Sequence, residues 1–175
     1  TPDILLQKVL KASMERLNLN PNEIGDVTVG NVQMGGAYAG PARMAQLVAG
    51  FPETVPLYCV NRQCSSGLQA VANVAESIIS GRIDAGIGCG VESMTNGGGV
   101  KDAGNSMPPM DLNSIVENKL ARECLTPMGV TSENVASRYG ITREMQDEME
   151  QRERIYRQKH DKIVRSFQQF KAGGE

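Results

Sequence analysis

An α/β layered fold is predicted by three features of the sequence. Short strand signals alternate with amphipathic helix signals as far as about residue 94, one strand candidate consists of small residues, and the strongest helical periodicity follows directly on a short apolar run. A length of 175 residues is enough to bury one sizeable core, with or without a small appendage. The 18 Lys and Arg against 20 Asp and Glu leave a formal net charge of −2, too balanced a field to favour nucleic acid or an anionic membrane surface. No apolar run approaches the roughly 18–20 residues of a membrane span, and the opening "TPDILL" has neither a basic stretch nor a cleavage site. The absence of an initiating methionine fits a processed or truncated chain. Cysteines at 59, 64, 89 and 124 form no C-x-x-C and share the chain with a single histidine, which argues against zinc and against a disulfide framework, so reduced thiols are expected.

The elements follow in order. "PDILLQKVLKASMERLNL" sets Ile4, Leu5, Val9, Leu10, Met14 and Leu17 on one helical stripe, and "NPNEIGD" supplies a turn. "DVTVGNVQ" alternates Val27 and Val29 with polar positions as a strand does, and the glycine-rich "MGGAYAGPARMAQLVAG" opens into a helix that stops near Gly50. Gly40 is followed by Pro41 and Ala42 where a P-loop would need Lys and a hydroxyl residue, so that loop is read as structural. "VPLYCVN" is a strand candidate. From Ser65, the residues Leu68, Val71, Val74, Ala75, Ile78 and Ile79 recur at helical spacing, with Gly81 at the stop. "DAGIGCGVES" is the strand of small residues, where backbone or ligand can approach closely.

Composition changes after Met94. "TNGGGVKDAGNSMPPMDLNS" reads as an irregular excursion from the core, and "TPMGVTSENVASRYGITREMQDEM" as short helices with an N-cap at Thr131 or Ser132, a stop at Gly140 and a new start near Thr142. From about Glu150 a long amphipathic helix is expected, with Met149, Tyr156, Ile163 and Phe170 seven apart among charged residues.

Chemistry concentrates at Cys64, which stands between the second strand and the helix after it. A thiolate is the reactive form of cysteine, and the unpaired N–H groups of a helix N-terminus favour negative charge there. The same N–H groups could hold a developing oxyanion, and Ser65, Ser66 and Gly67 would let a substrate come near. Position alone leaves two readings open, a nucleophile or a small buried residue. Cys59 and Cys89 lie in strands and read as core, Cys124 is undecided, and Arg43 is expected to anchor its loop by an ion pair.

The segments "GPARMAQLVAGFPETVP", "VNRQCSSGLQA", "GVESM" and "PMGVTSENVA", in this order and at these separations, closely resemble the thiolases, most of all the peroxisomal and glyoxysomal 3-ketoacyl-CoA thiolases, as far as about Asp147. The resemblance implies the N-terminal β-α-β-α-β-α-β half of a layered fold, with its first strand missing, and part of the loop domain. It puts Cys64 on the acyl-accepting cysteine, Met128 and Gly129 in the loop lining the acyl and pantetheine pocket, and Asn61 and Arg62 at the strand end of a homodimer interface. It implies thiolytic cleavage of 3-ketoacyl-CoA in fatty-acid β-oxidation in the peroxisome or glyoxysome, with CoA and acyl-CoA as substrates and no metal or other cofactor. A condensing acetoacetyl-CoA thiolase and a non-catalytic fragment that dimerises or binds a partner are the alternatives.

The family's two histidines, in N-E-A-F-A-like and G-H-P-x-G segments, and its second cysteine, in C-x-G-G-G, find no counterpart in this sequence. His160 lies in the charged helix segment and reads as a solvated residue. Residues 1–95 are thus expected to form the α/β half, 96–149 a partial loop domain, and 150–175 a divergent basic tail that is a poorly packed surface helix or a partner-binding one.

Overall fold

A computed structural model describes the backbone of residues 1–95 and 110–172, and the side chains of all of these except 36, 37 and 160–172. The chain divides into two units, Thr1–Pro109 and Met110–Glu175.

In the first unit, α1 (Pro2–Leu17) precedes β1 (Asp26–Gly30), α2 (Ala39–Val48), β2 (Leu57–Val60), α3 (Ser66–Ile79) and β3 (Gly86–Gly90). Pro2 stands in the first turn of α1, where its missing N–H costs nothing, and Asn18 ends the helix in the left-handed region at φ 50°. Asn20 then accepts a hydrogen bond from Asn22 N at 3.1 Å and turns the chain toward β1. The three strands form a parallel sheet in the order β2-β1-β3, with Val29 opposite Cys59 on one side and Cys89 on the other. Stepping from β1 to β2 and then back across β1 to β3 reverses direction, so right-handed crossovers put α2 and α3 on opposite faces. That arrangement is observed.

One face is apolar. Val27 and Val29 are fully buried there with Leu6, Leu10 and Met14 of α1 and Ala42 and Ala45 of α2, and Leu57, Cys59, Ile87 and Cys89 flank them. Arg43 secures the far end of α2 through Gln46 Oε1 (2.6 Å) and the backbone carbonyls of Glu53 (2.7 Å) and Val55. The expected ion pair is therefore replaced by carbonyl partners, a task for which a planar five-donor group is suited.

The other face is made for close approach. A Cβ on Gly30 would meet the carbonyl carbon of Ser66 at 2.7 Å, and one on Gly88 would meet Val71 Cα at 2.7 Å, so α3 lies directly on the strand backbones. Only small or slender residues of α3 fit beneath it: Ser66, Ala70, Val74 and Ser77. Of the apolar stripe read from the sequence, Val74 is consequently buried against the sheet, while Leu68 (74%), Val71, Ile78 and Ile79 (85%) are turned outward and exposed. A similar correction applies to α1. Its buried line is Pro2, Leu6, Leu10 and Met14, four apart, while Ile4, Leu5, Val9 and Leu17 are exposed, because an outer helix meets neighbours along one narrow line.

The second unit is helical where described: α4 (Leu112–Glu117), α5 (Lys119–Glu123), α6 (Met128–Tyr139) and α7 (Arg143–Ala172). Asp111 and Asn118 cap α4 and α5 through side-chain oxygens. α6 starts earlier than the expected cap at Thr131 or Ser132. Pro127 precedes it in extended conformation, and Thr131 Oγ1 instead donates back to Pro127 O at 3.4 Å inside the helix. Gly140, at φ 64°, ends α6 as expected, and Thr142 Oγ1 accepts from Met145 N at 3.3 Å as α7 begins. α7 passes through residue 150 without a break and carries Arg–acid pairs at i,i+4 spacing, including Glu148–Arg152, Glu150–Arg154 and Glu153–Arg157. No helix among the described residues is long and apolar enough to cross a membrane. The stretch 96–109, most of the predicted irregular excursion, lies outside the described residues, as does the His160 side chain.

Candidate active site

In an open parallel sheet, a crevice forms at the carboxyl ends of neighbouring strands whose following connections leave toward opposite faces. Here that pair is β1 and β2. The loop after β1 leads to α2 on the apolar face, and the turn after β2 leads to α3 on the glycine face. Cys64 sits in that second turn and is exposed.

The turn is tightly specified. Gln63 adopts φ 47°, a left-handed conformation that a residue with a Cβ takes at a cost of about 1–2 kcal/mol. Its N–H donates to Asn61 Oδ1 at 3.0 Å, and its carbonyl accepts from Ser66 N at 3.0 Å and Ser66 Oγ at 2.6 Å. Arg62 N donates to the same Ser66 Oγ at 2.9 Å, and Arg62 O accepts from Ser65 N and Ser65 Oγ. The serines of "CSSG" are thus turn-locking residues. The first bond of α3 runs from Gln69 N to Ser65 O at 2.9 Å, which leaves the Gly67 and Leu68 N–H groups ahead of it, close after Cys64.

Asn61 and Arg62 also reach outward from the turn. Asn61 Nδ2 donates to Val32 O at 3.2 Å, and Arg62 Nη1 donates to Gln69 Oε1 on α3. Sequence reasoning missed Glu92, just beyond β3. Its carboxylate accepts from Val32 N at 2.9 Å, Gln33 N at 3.3 Å and Asn31 Nδ2 at 3.3 Å, and Asn31 Nδ2 also donates to Val91 O at 2.8 Å. The signal lay in the polar residues placed just past each strand, Asn31, Asn61 and Glu92, which share the carboxyl edge of the sheet. Met128 (67% exposed) and Gly129 open α6 in the second unit.

The other thiols differ in setting. Cys59 and Cys89 pack against the core, as expected. Burial pushes the Cys59 thiol up, and burial with Cys59 alongside pushes that of Cys89 up to about 11. Cys124 is exposed, with its sulfur 3.5 Å from Leu120 O. Among the described residues, no group of three or more His, Cys, Asp and Glu is placed to hold a metal ion.

This parallel sheet presents an exposed cysteine at its carboxyl edge ahead of a helix, and residues 1–159 match the thiolase N-terminal domain: the chain belongs to the thiolase family. It is 55% identical over 148 residues to the peroxisomal 3-ketoacyl-CoA thiolase B of Rattus norvegicus, covering 84% of this chain and 33% of that protein. The dimeric peroxisomal thiolase of Saccharomyces cerevisiae superposes with a TM-score of 0.73 at 41% identity, over 85% of this chain and 38% of that one. A second structure of the yeast 3-ketoacyl-CoA thiolase, five-layered α-β-α-β-α and constructed from two core domains of identical topology, gives 0.62 at 40% identity over 76% and 36%. The chain spans about a third of the length of the curated relatives it matches. The resemblance carried by the sequence motifs holds, and the family match runs to residue 159, past the expected limit near Asp147.

Proposed function

We propose that this chain supplies the nucleophile-bearing part of a 3-ketoacyl-CoA thiolase, an acetyl-CoA acyltransferase of peroxisomal fatty-acid β-oxidation. The observation that carries the reading is the exposed Cys64, held after the left-handed Gln63 in the turn from β2 just ahead of the first turn of α3. The Cys64 thiolate attacks the 3-keto carbon, and the bond between C2 and C3 breaks. C2 takes a proton as acetyl-CoA leaves, and the shortened acyl group stays on sulfur as a thioester until the thiol of CoA takes it. First-turn N–H groups suit the charge that develops on the keto oxygen. Met128 and Gly129 contribute to the acyl and pantetheine pocket, and Asn61 and Arg62 to a homodimer interface. CoA and acyl-CoA are substrates, and the step needs no metal or further cofactor. Residues 1–95 act as the core half, 96–149 as part of a loop domain and 150–175 as a divergent tail.

The test is transfer of labelled acetyl from acetyl-CoA to the chain, run beside CoA-dependent cleavage of acetoacetyl-CoA and a medium-chain 3-ketoacyl-CoA, with Cys64→Ala in parallel. Label on Cys64, lost in the variant, is expected. Equal labelling of Cys64 and Cys124 would reject the nucleophile and leave a non-catalytic role in association, which the outward apolar face of α3 would favour.

A further inference from the structure

We propose that Glu92 and Asn61 are positioning residues for Cys64, forming a hydrogen-bonded strut along the carboxyl edge of the sheet; this rests on the reading of Cys64 as the acyl acceptor. The path is continuous. Glu92, just past β3, holds the N–H groups of Val32 and Gln33 in the loop after β1. The Val32 carbonyl in turn receives Asn61 Nδ2 at 3.2 Å, and Asn61 Oδ1 receives the Gln63 N–H at 3.0 Å. The last bond fixes the residue whose φ of 47° carries the chain into Cys64.

Three physical arguments support a positioning role. An unfavourable left-handed residue persists only where its surroundings over-determine it, and Asn61 supplies a side-chain acceptor for the Gln63 N–H. A carboxylate facing two backbone N–H groups and an amide makes stronger bonds than a neutral acceptor, so Glu92 is a firm anchor. The strut also ties the ends of all three strands, while the apolar core is built from side chains other than those of Glu92 and Asn61. Its loss should loosen the turn and spare the fold.

The experiment uses the whole 175-residue chain and three variants, Glu92→Gln, Asn61→Ala and Asn61→Asp. Two readouts are taken: hydrogen exchange at the Gln63 amide, and the ratio of iodoacetamide reaction rates at Cys64 and Cys124. Losing one hydrogen bond predicts about tenfold faster Gln63 exchange and a shift of roughly threefold or more in the rate ratio for Asn61→Ala and Glu92→Gln. Asn61→Asp keeps the oxygen that accepts from Gln63 but loses the Nδ2 donor to Val32 O, so it is expected to restore part of the Gln63 protection that Asn61→Ala removes, a partial rescue that bulk destabilisation would not give. Unchanged Gln63 exchange in Asn61→Ala and Glu92→Gln would overturn the strut. So would loss of Cys89 protection from iodoacetamide, because the residues would then serve folding. Acetyl transfer to the parent chain separates the two readings: if Cys64 takes no acetyl group while the Gln63 effects and the rescue appear, acyl transfer fails and positioning stands.

Discussion

Cys89 illustrates how one residue's setting becomes a property of the chain. Its thiol is held up at about 11 chiefly by burial, against about 8.5–9 for an unfolded cysteine. The unfolded chain therefore loses this proton first as pH rises. Stability from this group is intact below about pH 8.5 and declines by roughly 2–3 kcal/mol as pH climbs through 11. Urea unfolding at pH 8 and pH 11 should show this fall, and Cys89→Ala should flatten it even where the substitution lowers overall stability. Exposure sorts the thiols as well. At pH 8, iodoacetamide is expected to reach Cys64 and Cys124 at least about tenfold faster than Cys89, checked by peptide mass spectrometry. Comparable rates at Cys64 and Cys89 would contradict the exposed turn. The position of Cys64 between strand and helix was legible in "VNRQCSSG", because an apolar run meeting helical periodicity marks an elbow. The left-handed Gln63 was not legible, since no glycine or asparagine announces it and only the bonds from Asn61 and Ser66 fix that conformation.

At the scale of elements, the seating of α3 on glycine backbone is the main determinant. Gly88→Ala would drive a methyl into Val71 Cα, and Gly30→Ala into the Ser66 carbonyl at the start of the helix. Each is expected to cost about 1–3 kcal/mol in urea unfolding, and Gly30→Ala should also change the alkylation rate of Cys64, because it displaces the end of α3 next to that residue. Wild-type stability in Gly88→Ala would show that the helix does not lie so close. The helix itself was evident from periodicity, but its orientation was not. Leu68, Val71, Val74, Ala75, Ile78 and Ile79 form one stripe in sequence, and only the glycines of the opposing strands reveal that Val74 faces the sheet with Ser66, Ala70 and Ser77 while the larger members face outward. In α7 the i,i+4 pairs are exposed and each contributes about 0.3–0.5 kcal/mol, so Glu148→Gln with Glu150→Gln and Glu153→Gln should lower helicity by circular dichroism, less so in high salt. Tail helicity was readable from composition and the start near Thr142 from the stop at Gly140, whereas the joining of the two into one helix through residue 150 was not.

For the whole molecule, the exposed apolar residues of α3 form a surface that charge substitution can relieve. Leu68→Lys with Ile79→Lys is expected to change the unfolding free energy by less than about 0.5 kcal/mol while reducing binding of a hydrophobic dye and self-association by light scattering. A large loss of stability would mean that this face is covered within the chain. The α/β class was legible because alternating strand and helix signals leave few alternatives, but the sheet order β2-β1-β3 needed the structure, since three parallel strands satisfy the same pattern in several arrangements. That order has a bearing on how the chain is made. Of the three described strands the central one is made first, so Val27 and Val29 emerge before β2 and β3 exist. β1 must wait for β2 through the whole of α2, and for β3 through α3 as well. Parallel pairing across such crossovers is slow, so β1 waits without its described partners while α2 is made, which marks the interval before β2 appears as one in which a chaperone would matter.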